Sequence, residues 1–176
     1  VPAANAQPVL PDVLTPGLRV VFCGSAAGTV SALRGAYYAG PGNRFWPTLH
    51  ATGLTDRVLR SEEFRQVLDY GIGLTDLAKF ASGPDATIRR ADYDPQGLLA
   101  RLAALQPKAL AFNGKRAAAL FLGQPGDRLR YGAQPPRPGM PLLFVLPSTS
   151  GLATRYWSLD PWRDLAAATR CWRGPG

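Results

Sequence analysis

Three short runs of consecutive apolar residues set the terms on which this 176-residue chain can fold. They are Leu18-Arg19-Val20-Val21-Phe22-Cys23-Gly24, Ala109-Leu110-Ala111-Phe112-Asn113-Gly114 and Leu142-Leu143-Phe144-Val145-Leu146-Pro147. None alternates polar with apolar residues, so each reads as a strand buried on both faces. Such strands belong inside a parallel or mostly parallel sheet with helices packed on it. Helical patterns lie between them. Residues 43–51 read as a helix start, and residues 61–68 open with Ser61 as cap and Glu62 and Glu63 in the first turn. Residues 96–105 follow Asp94-Pro95, where Asp94 suits the cap, and stop before Pro107. Residues 115–122 and roughly 161–171 complete the set. Residues 70–77 read as a short strand or extended turn, and residues 81–95 and 123–139 as loops. Residues 1–17, rich in Pro and Ala and closing on Thr15-Pro16-Gly17, read as a flexible arm before one domain over 18–176. The expected fold is α/β: a three-layer sandwich with a central, mostly parallel sheet and helices on both faces.

In such sheets ligands bind beyond the carboxyl ends of the strands. The first and third apolar runs end in small-residue loops, residues 24–28 and 148–152, and the short strand leads into a loop over 78–95. The three loops are expected to rim one pocket. The net charge of +8 bears on what that pocket meets. Of twenty basic residues only Lys79, Lys108 and Lys115 are lysines. Arginine's planar fork suits phosphate, so a nucleic acid leads among polyanionic partners, beside the plainer reading of a coding bias toward arginine. Two cysteines, Cys23 and Cys171, do not make a disulfide framework. With one histidine, His50, they leave too few ligands for a zinc or iron–sulfur site, and no metal or cofactor is expected. No apolar run reaches membrane-spanning length, and the opening VPAANAQPVLPD has neither the basic head nor the apolar core of a secretory signal. A reduced, cytoplasmic, nucleoid-associated protein with no membrane partner follows as the expectation.

Several familiar sites are absent. There is no GxSxG elbow, and His50, among apolar neighbours in a helical pattern, does not suggest a nucleophile triad. Gly24-Ser25-Ala26-Ala27-Gly28 lacks the Lys-Ser/Thr of a phosphate loop and the third glycine of a dinucleotide fingerprint.

Five pieces of sequence do form a set. They are Arg19-Val20-Val21-Phe22-Cys23-Gly24-x-x-x-Gly28; Asn43-Arg44-Phe45-Trp46; Gly73-Leu74-Thr75-Asp76-Leu77; Gln106-Pro107-Lys108-Ala109-Leu110-Ala111 with Asn113-Gly114-Lys115; and Leu146-Pro147-x-x-Ser150-Gly151-Leu152. In order and spacing, over residues 13–165, they resemble the mismatch-specific uracil-DNA and thymine-DNA glycosylases of the uracil-DNA glycosylase superfamily. The resemblance implies a monofunctional enzyme, working as a monomer on double-stranded DNA. It would flip uracil, or thymine and damaged pyrimidines, from opposite guanine and hydrolyse the N-glycosidic bond. The alternative is a protein that binds mismatches or abasic sites with little catalysis. A Schiff-base lysine, Lys79 or Lys115, is not of the family's type.

The resemblance also assigns residues. Gly24, Ser25, Ala26, Ala27 and Gly28 would approach the flipped base with their backbone, Tyr38, neighboured by Tyr37, would stack on it, Asn43 would bond its edge, and Ser31 would stand in the pocket wall. Ser148, Ser150, Gly151, Leu152 and Ala153 would form the wedge loop, with Leu152 filling the gap and Arg155 reaching phosphate or the orphan guanine. Arg44, Lys115 and Arg116 are further candidates for phosphate grip. Phe45 and Trp46 read as core. One departure matters. Where the family has an asparagine that positions the attacking water, this chain has Ala26; Ala27 replaces a proline and Ser148 a second asparagine. Either another group holds the water, or the protein is slow or binds lesions without much catalysis. The transition state is cation-like at the sugar, so a carboxylate is the natural substitute. The candidates are Asp92 first, with Arg89 and Arg90 to anchor phosphate beside it, then Asp76; Asp85 and Asp94 lie in the same stretch.

Overall fold

The computed structural model describes residues 6–173. Its frame is a five-stranded sheet in the order β2-β1-β3-β5-β4. β1 (Val20–Ala27) lies between β2 (Ile72–Ser82) and β3 (Ala109–Asn113), parallel to both. β5 (Leu142–Leu146) continues parallel beyond β3, and the two-residue β4 (Gly132–Ala133) closes that edge antiparallel. Five α-helices connect them: α1 (Thr29–Arg34), α2 (Phe45–Ala51), α3 (Pro95–Leu105), α4 (Lys115–Leu122) and α5 (Asp160–Ala168).

The unbroken apolar runs find a use on both faces. Val20 and Phe22 point into a core with Phe45 and Leu49 of α2 and Trp162 and Leu165 of α5. Val21 and Cys23 point the other way, into a core with Leu98 and Leu102 of α3 and Ala117, Ala118 and Leu122 of α4. This is the expected three-layer α/β sandwich, with a mostly parallel sheet. Asp94 caps α3, its Oδ1 accepting from Gly97 N at 2.9 Å. Among the described residues no helix is long and apolar enough to cross a membrane.

Four sequence expectations need correction. β1 does not stop at Gly24 but runs to Ala27, because β2 continues beside it, with Ala26 opposite Ala78 and a bulge before Ala27 meets Ser82. The short strand expected over 70–77 is therefore eleven residues long. Residues 61–70 form a 3₁₀ helix rather than an α-helix, and Ser61 is not its cap; Arg60 is, with Glu63 Oε2 accepting from Arg60 N at 2.8 Å. The loop over 123–139 contains β4 and a 3₁₀ turn, Gly126–Arg128.

The fourth correction concerns the arm. Residues 1–5 lie outside the described residues, but from Val9 onward the segment is docked along β2. Val13 and Leu74 exchange both backbone hydrogen bonds at 2.9 Å, and Val9 N donates to Lys79 O at 2.7 Å. Leu10 and Val13 are buried, and Tyr37 donates its hydroxyl to Pro11 O at 3.0 Å. The reason is that β2 would otherwise present an unpaired strand edge, and buried backbone groups need partners. Pro and Ala content signalled looseness, while Leu10 and Val13 supply the anchors.

Leu10→Ala should therefore destabilise the fold by about 2–5 kcal/mol, the cost of a large-to-small change in a packed core. Urea denaturation of the two proteins measures it, and an unchanged midpoint would mean that the segment is free.

Candidate active site

Parallel strands in register place side chains in rows across the sheet. Leu74, Phe22, Ala111 and Phe144 make one such apolar row on the face that α2 and α5 cover. Two residues further along each strand the same face carries Asp76, Gly24, Asn113 and Leu146. Gly24 pairs with Asp76, Asn113 pairs with Leu146, and Gly24 and Asn113 are next in register after Cys23 and Phe112. The core thus turns polar within one row, near the carboxyl ends of the strands.

Asp76 is 4% exposed. Its carboxylate lies across β1, where a Cβ on Gly24 would come within 2.6 Å of Oδ1. Only glycine leaves that space. Among the described residues no hydrogen bond or ion pair reaches the Asp76 carboxylate; the nearest cation, Lys79, is committed to Asp12 at 2.7 Å. Burial pushes the Asp76 carboxyl up to about 6, against the pull of Lys79 and with a further push from Asp12. Asp12 also accepts from Thr75 Oγ1 at 2.7 Å and faces Arg101 Nε at 3.4 Å.

Tyr38 closes the site from above. Its ring stacks on Phe45 with centroids 3.9 Å apart and planes at 27°, and Phe45 in turn meets Phe22 edge-on at 5.3 Å. Its hydroxyl would lie 3.6 Å from the Gly24 Cβ position; it is buried and makes no hydrogen bond. Burial, and then Asp76, push its ionisation well above the ordinary tyrosine range, so it is a neutral O–H. Tyr38 holds φ +53°, a left-handed conformation that costs a non-glycine residue energy.

The carboxyl ends of β3 and β5 are tied together. Asn113 donates Nδ2 to Thr149 Oγ1 at 2.9 Å and accepts from Thr149 N at 3.0 Å. The 148–152 loop then turns on its own serines: Ser148 Oγ accepts from Ser150 N and Ser150 Oγ from Leu152 N. Ala153 N donates to Ser150 O. Gly151 sits on the 41–42 backbone, where a Cβ would meet Pro41 O at 2.9 Å. Leu152 at the tip is 97% exposed.

Of the residues singled out by sequence, Asp76, Gly24 and Tyr38 come together. Others are engaged in holding loops. Ser25 donates to Asp85 Oδ1 at 2.5 Å and Gly83 N to Ala27 O at 2.9 Å, which joins the first loop to the segment after β2. Ser31 Oγ accepts from Ala39 N at 3.0 Å, so its side chain fixes the tyrosine segment rather than lining a wall. Asn43 Oδ1 accepts from Phe45 N at 3.0 Å at the start of α2, which leaves only its Nδ2 for a ligand. Gly28 precedes α1 with extended backbone and open space around it. Arg44 is bound to Ser150 O at 3.2 Å and lies over Trp157, so it braces the 148–152 loop. Lys115, Arg116 and Arg155 lie over the rings of Tyr131, Tyr93 and Tyr156. His50 is exposed, with Nδ1 3.4 Å from Thr55 O.

Asp92 is placed differently from the expectation. Arg89 takes its carboxylate for itself, through Nε at 3.1 Å, Nη2 at 2.8 Å and its backbone N at 3.0 Å. That pairing holds Asp92 below the usual carboxylate range. The arginine expected to anchor phosphate instead closes a 3₁₀ turn on Asp92. Asn113, Thr149 and Asp12 were not picked out by sequence reasoning. Asn113 stood inside a matched motif, but Asp12 gave no signal, since it lies in the stretch read as an arm. Among the described residues no cluster of His, Cys, Asp and Glu is arranged to hold a metal.

A family model for the uracil DNA glycosylase superfamily matches residues 11–171. The chain belongs to the uracil-DNA glycosylase superfamily. Among solved structures, a candidate uracil DNA glycosylase from Methanosarcina acetivorans, determined by NMR in solution, is similar with a TM-score of 0.59 and 22% identity, over 94% of this chain and 96% of that one. At that identity the likeness bears on the fold. In this superfamily member, the carboxyl ends of the strands carry a buried aspartate where the first loop carries alanines.

The raised carboxyl has a consequence for stability. Asp76 is pushed up to about 6 in the folded chain against an ordinary value of 3.8. The charged form therefore costs the folded state, fully above pH 6 and not at all below about pH 3.8. Asp76→Asn should stabilise the protein at pH 8 by up to roughly 3 kcal/mol, the gain fading as pH falls through 6. Thermal unfolding at pH 8, 5 and 4 tests this; a gain that did not change with pH would refute it.

Proposed function

We propose that this protein removes uracil, and related pyrimidines opposite guanine, from double-stranded DNA by hydrolysing the N-glycosidic bond, with Asp76 as the carboxylate that serves the attacking water. The observation that carries the reading is the Asp76 carboxylate lying over Gly24, buried and free of protein partners, in a superfamily fold whose first loop has no polar side chain at Ala26. The C1′–N bond of the nucleotide breaks first and its electron pair goes to the base. The sugar becomes cation-like, and an unpaired carboxylate nearby stabilises that charge. Water adds to C1′ and gives its proton to Asp76, which a carboxyl near 6 can accept and pass on at neutral pH. The departing base carries the negative charge. The free Nδ2 of Asn43, with any N–H at the end of β1 that β2 does not take up, is the donor available to it.

Extracting a base costs a few kcal/mol, least at a mismatch. Leu152 suits the wedge: an apolar side chain held fully exposed on a loop braced by Arg44, Ser148, Ser150 and Gly151. The arginine-rich surface suits phosphate, and the enzyme would act as a monomer at the nucleoid.

Incubation with a labelled uracil·guanine duplex followed by alkali should give strand cleavage, whereas no cleavage at large enzyme excess would leave a mismatch- or abasic-site-binding protein. Asp76→Asn should slow base release roughly 10²–10⁴-fold, while Asp92→Asn stays close to the wild type. The reactive form is the carboxylate, so the rate should fall as pH drops below about 6. Lys79 and Asp12 bear on Asp76 by charge, and its buried neighbours Cys23, Tyr37 and Tyr38 are held protonated through that range by their burial. Full activity of Asp76→Asn would end the assignment.

Leu152→Ala should weaken capture of the flipped state about tenfold, read as a higher half-saturating enzyme concentration. Its melting temperature should not change, because a side chain 97% exposed contributes no packing.

A further inference from the structure

Tyr38 carries a feature that base stacking does not explain. Its ring already has one face on Phe45, 3.9 Å away, and a phenylalanine would stack equally well. Yet the residue spends a left-handed backbone conformation, φ +53°, on delivering a hydroxyl into the buried space over Gly24. Buried hydroxyls nearly always have partners, and this one has none. The Asn113 amide beside it spends its oxygen and one N–H on Thr149, and its second N–H can only donate toward the hydroxyl oxygen, which leaves the Tyr38 O–H itself without an acceptor. The acceptor that borders the same space is the Asp76 carboxylate. The point where a Gly24 Cβ would stand is 2.6 Å from Asp76 Oδ1 and 3.6 Å from the Tyr38 hydroxyl, so both groups border one small space that glycine alone keeps open.

We propose that the Tyr38 hydroxyl is a positioning residue for the reaction: together with Asp76 it holds the attacking water above Gly24. The inference rests on the assignment of Asp76 under Proposed function. The water donates one hydrogen to the Asp76 carboxylate and accepts the Tyr38 O–H with one lone pair. That leaves its second lone pair to form the bond to C1′. As the C1′–N bond breaks and its electrons leave with the base, the water proton passes to Asp76 and Tyr38 keeps its own. A neutral phenol, held far from ionisation by its burial, can do this without competing for the proton. The unpartnered hydroxyl and the unpartnered carboxylate are two halves of one site, each lacking what a single water supplies.

Tyr38→Phe tests the proposal, because it removes the hydroxyl and leaves the ring on Phe45. Single-turnover base release from a uracil·guanine duplex should slow roughly 10- to 100-fold at saturating enzyme. The half-saturating enzyme concentration should stay as in the wild type, and the melting temperature should be equal or higher, since an unpartnered buried hydroxyl contributes nothing to the fold. A rate within twofold of wild type overturns the proposal. So does a loss seen only in the half-saturating concentration, which would make Tyr38 a stacking residue alone, or a loss that travels with a lower melting temperature. Asp76→Asn is measured alongside. If that variant is as fast as the wild type, the Asp76 assignment itself fails; if it is slow and Tyr38→Phe is not, only the role of the hydroxyl fails.

Discussion

A carboxylate on an outer strand can lean in over a parallel sheet only where the neighbouring strand gives up a side chain. Here Gly24 does so for Asp76, and the rest of the site follows from that contact. The aspartate is buried because β1 flanks β2, and unpaired because Lys79 is taken by Asp12. Its carboxyl therefore rises to about 6, in the range where a group can accept and release a proton at neutral pH. A better-paired aspartate would be cheaper for the fold and a poorer base.

The aromatic column gives the contact its roof. Trp162 of α5 stacks on Phe22 of β1, Phe22 meets Phe45 of α2 edge-on, and Phe45 supports Tyr38. Four residues from four segments thus fix one hydroxyl relative to the sheet. The loops are braced as tightly. Ser25 and Gly83 join the end of β1 to the stretch after β2, while Asn113, Arg44 and Gly151 bind the 148–152 loop to β3 and to residues 41–44. The side chains of Ser25, Arg44 and Asn113 hold backbone in place, which is where the precision of such a site comes from.

Much of this was legible in the sequence. Buried parallel strands announce themselves by unbroken apolar runs, so the sheet, the two-faced core and α3 with its Asp94 cap were readable from residues 18–24, 94–105, 109–114 and 142–147. The motif set also carried the superfamily. What local patterning could not convey was partnership. Asp76 and Asp92 look alike in sequence, and the arginine preceding Asp92 looked like a phosphate anchor; only in three dimensions does Arg89 close back on its own turn while Asp76 stands alone. Asn43 and Ser31 show the same limit, since each gives its side-chain oxygen to a backbone N–H, which leaves Asn43 its Nδ2. Residues 9–13 were misread because an edge-covering segment needs no repeating pattern, only two apolar anchors and a strand to pair with.

That edge-covering segment imposes an order on biosynthesis. Val9, Leu10 and Val13 leave the ribosome well before β2, but their hydrogen-bonding and packing partners extend to Lys79. Until β2 has been made, two of the residues destined for the core have nowhere to go, and Asp12 has no Lys79 to neutralise. The stretch must thus wait for the whole of β2, and the electrostatic setting of Asp76 is complete only once the two have paired.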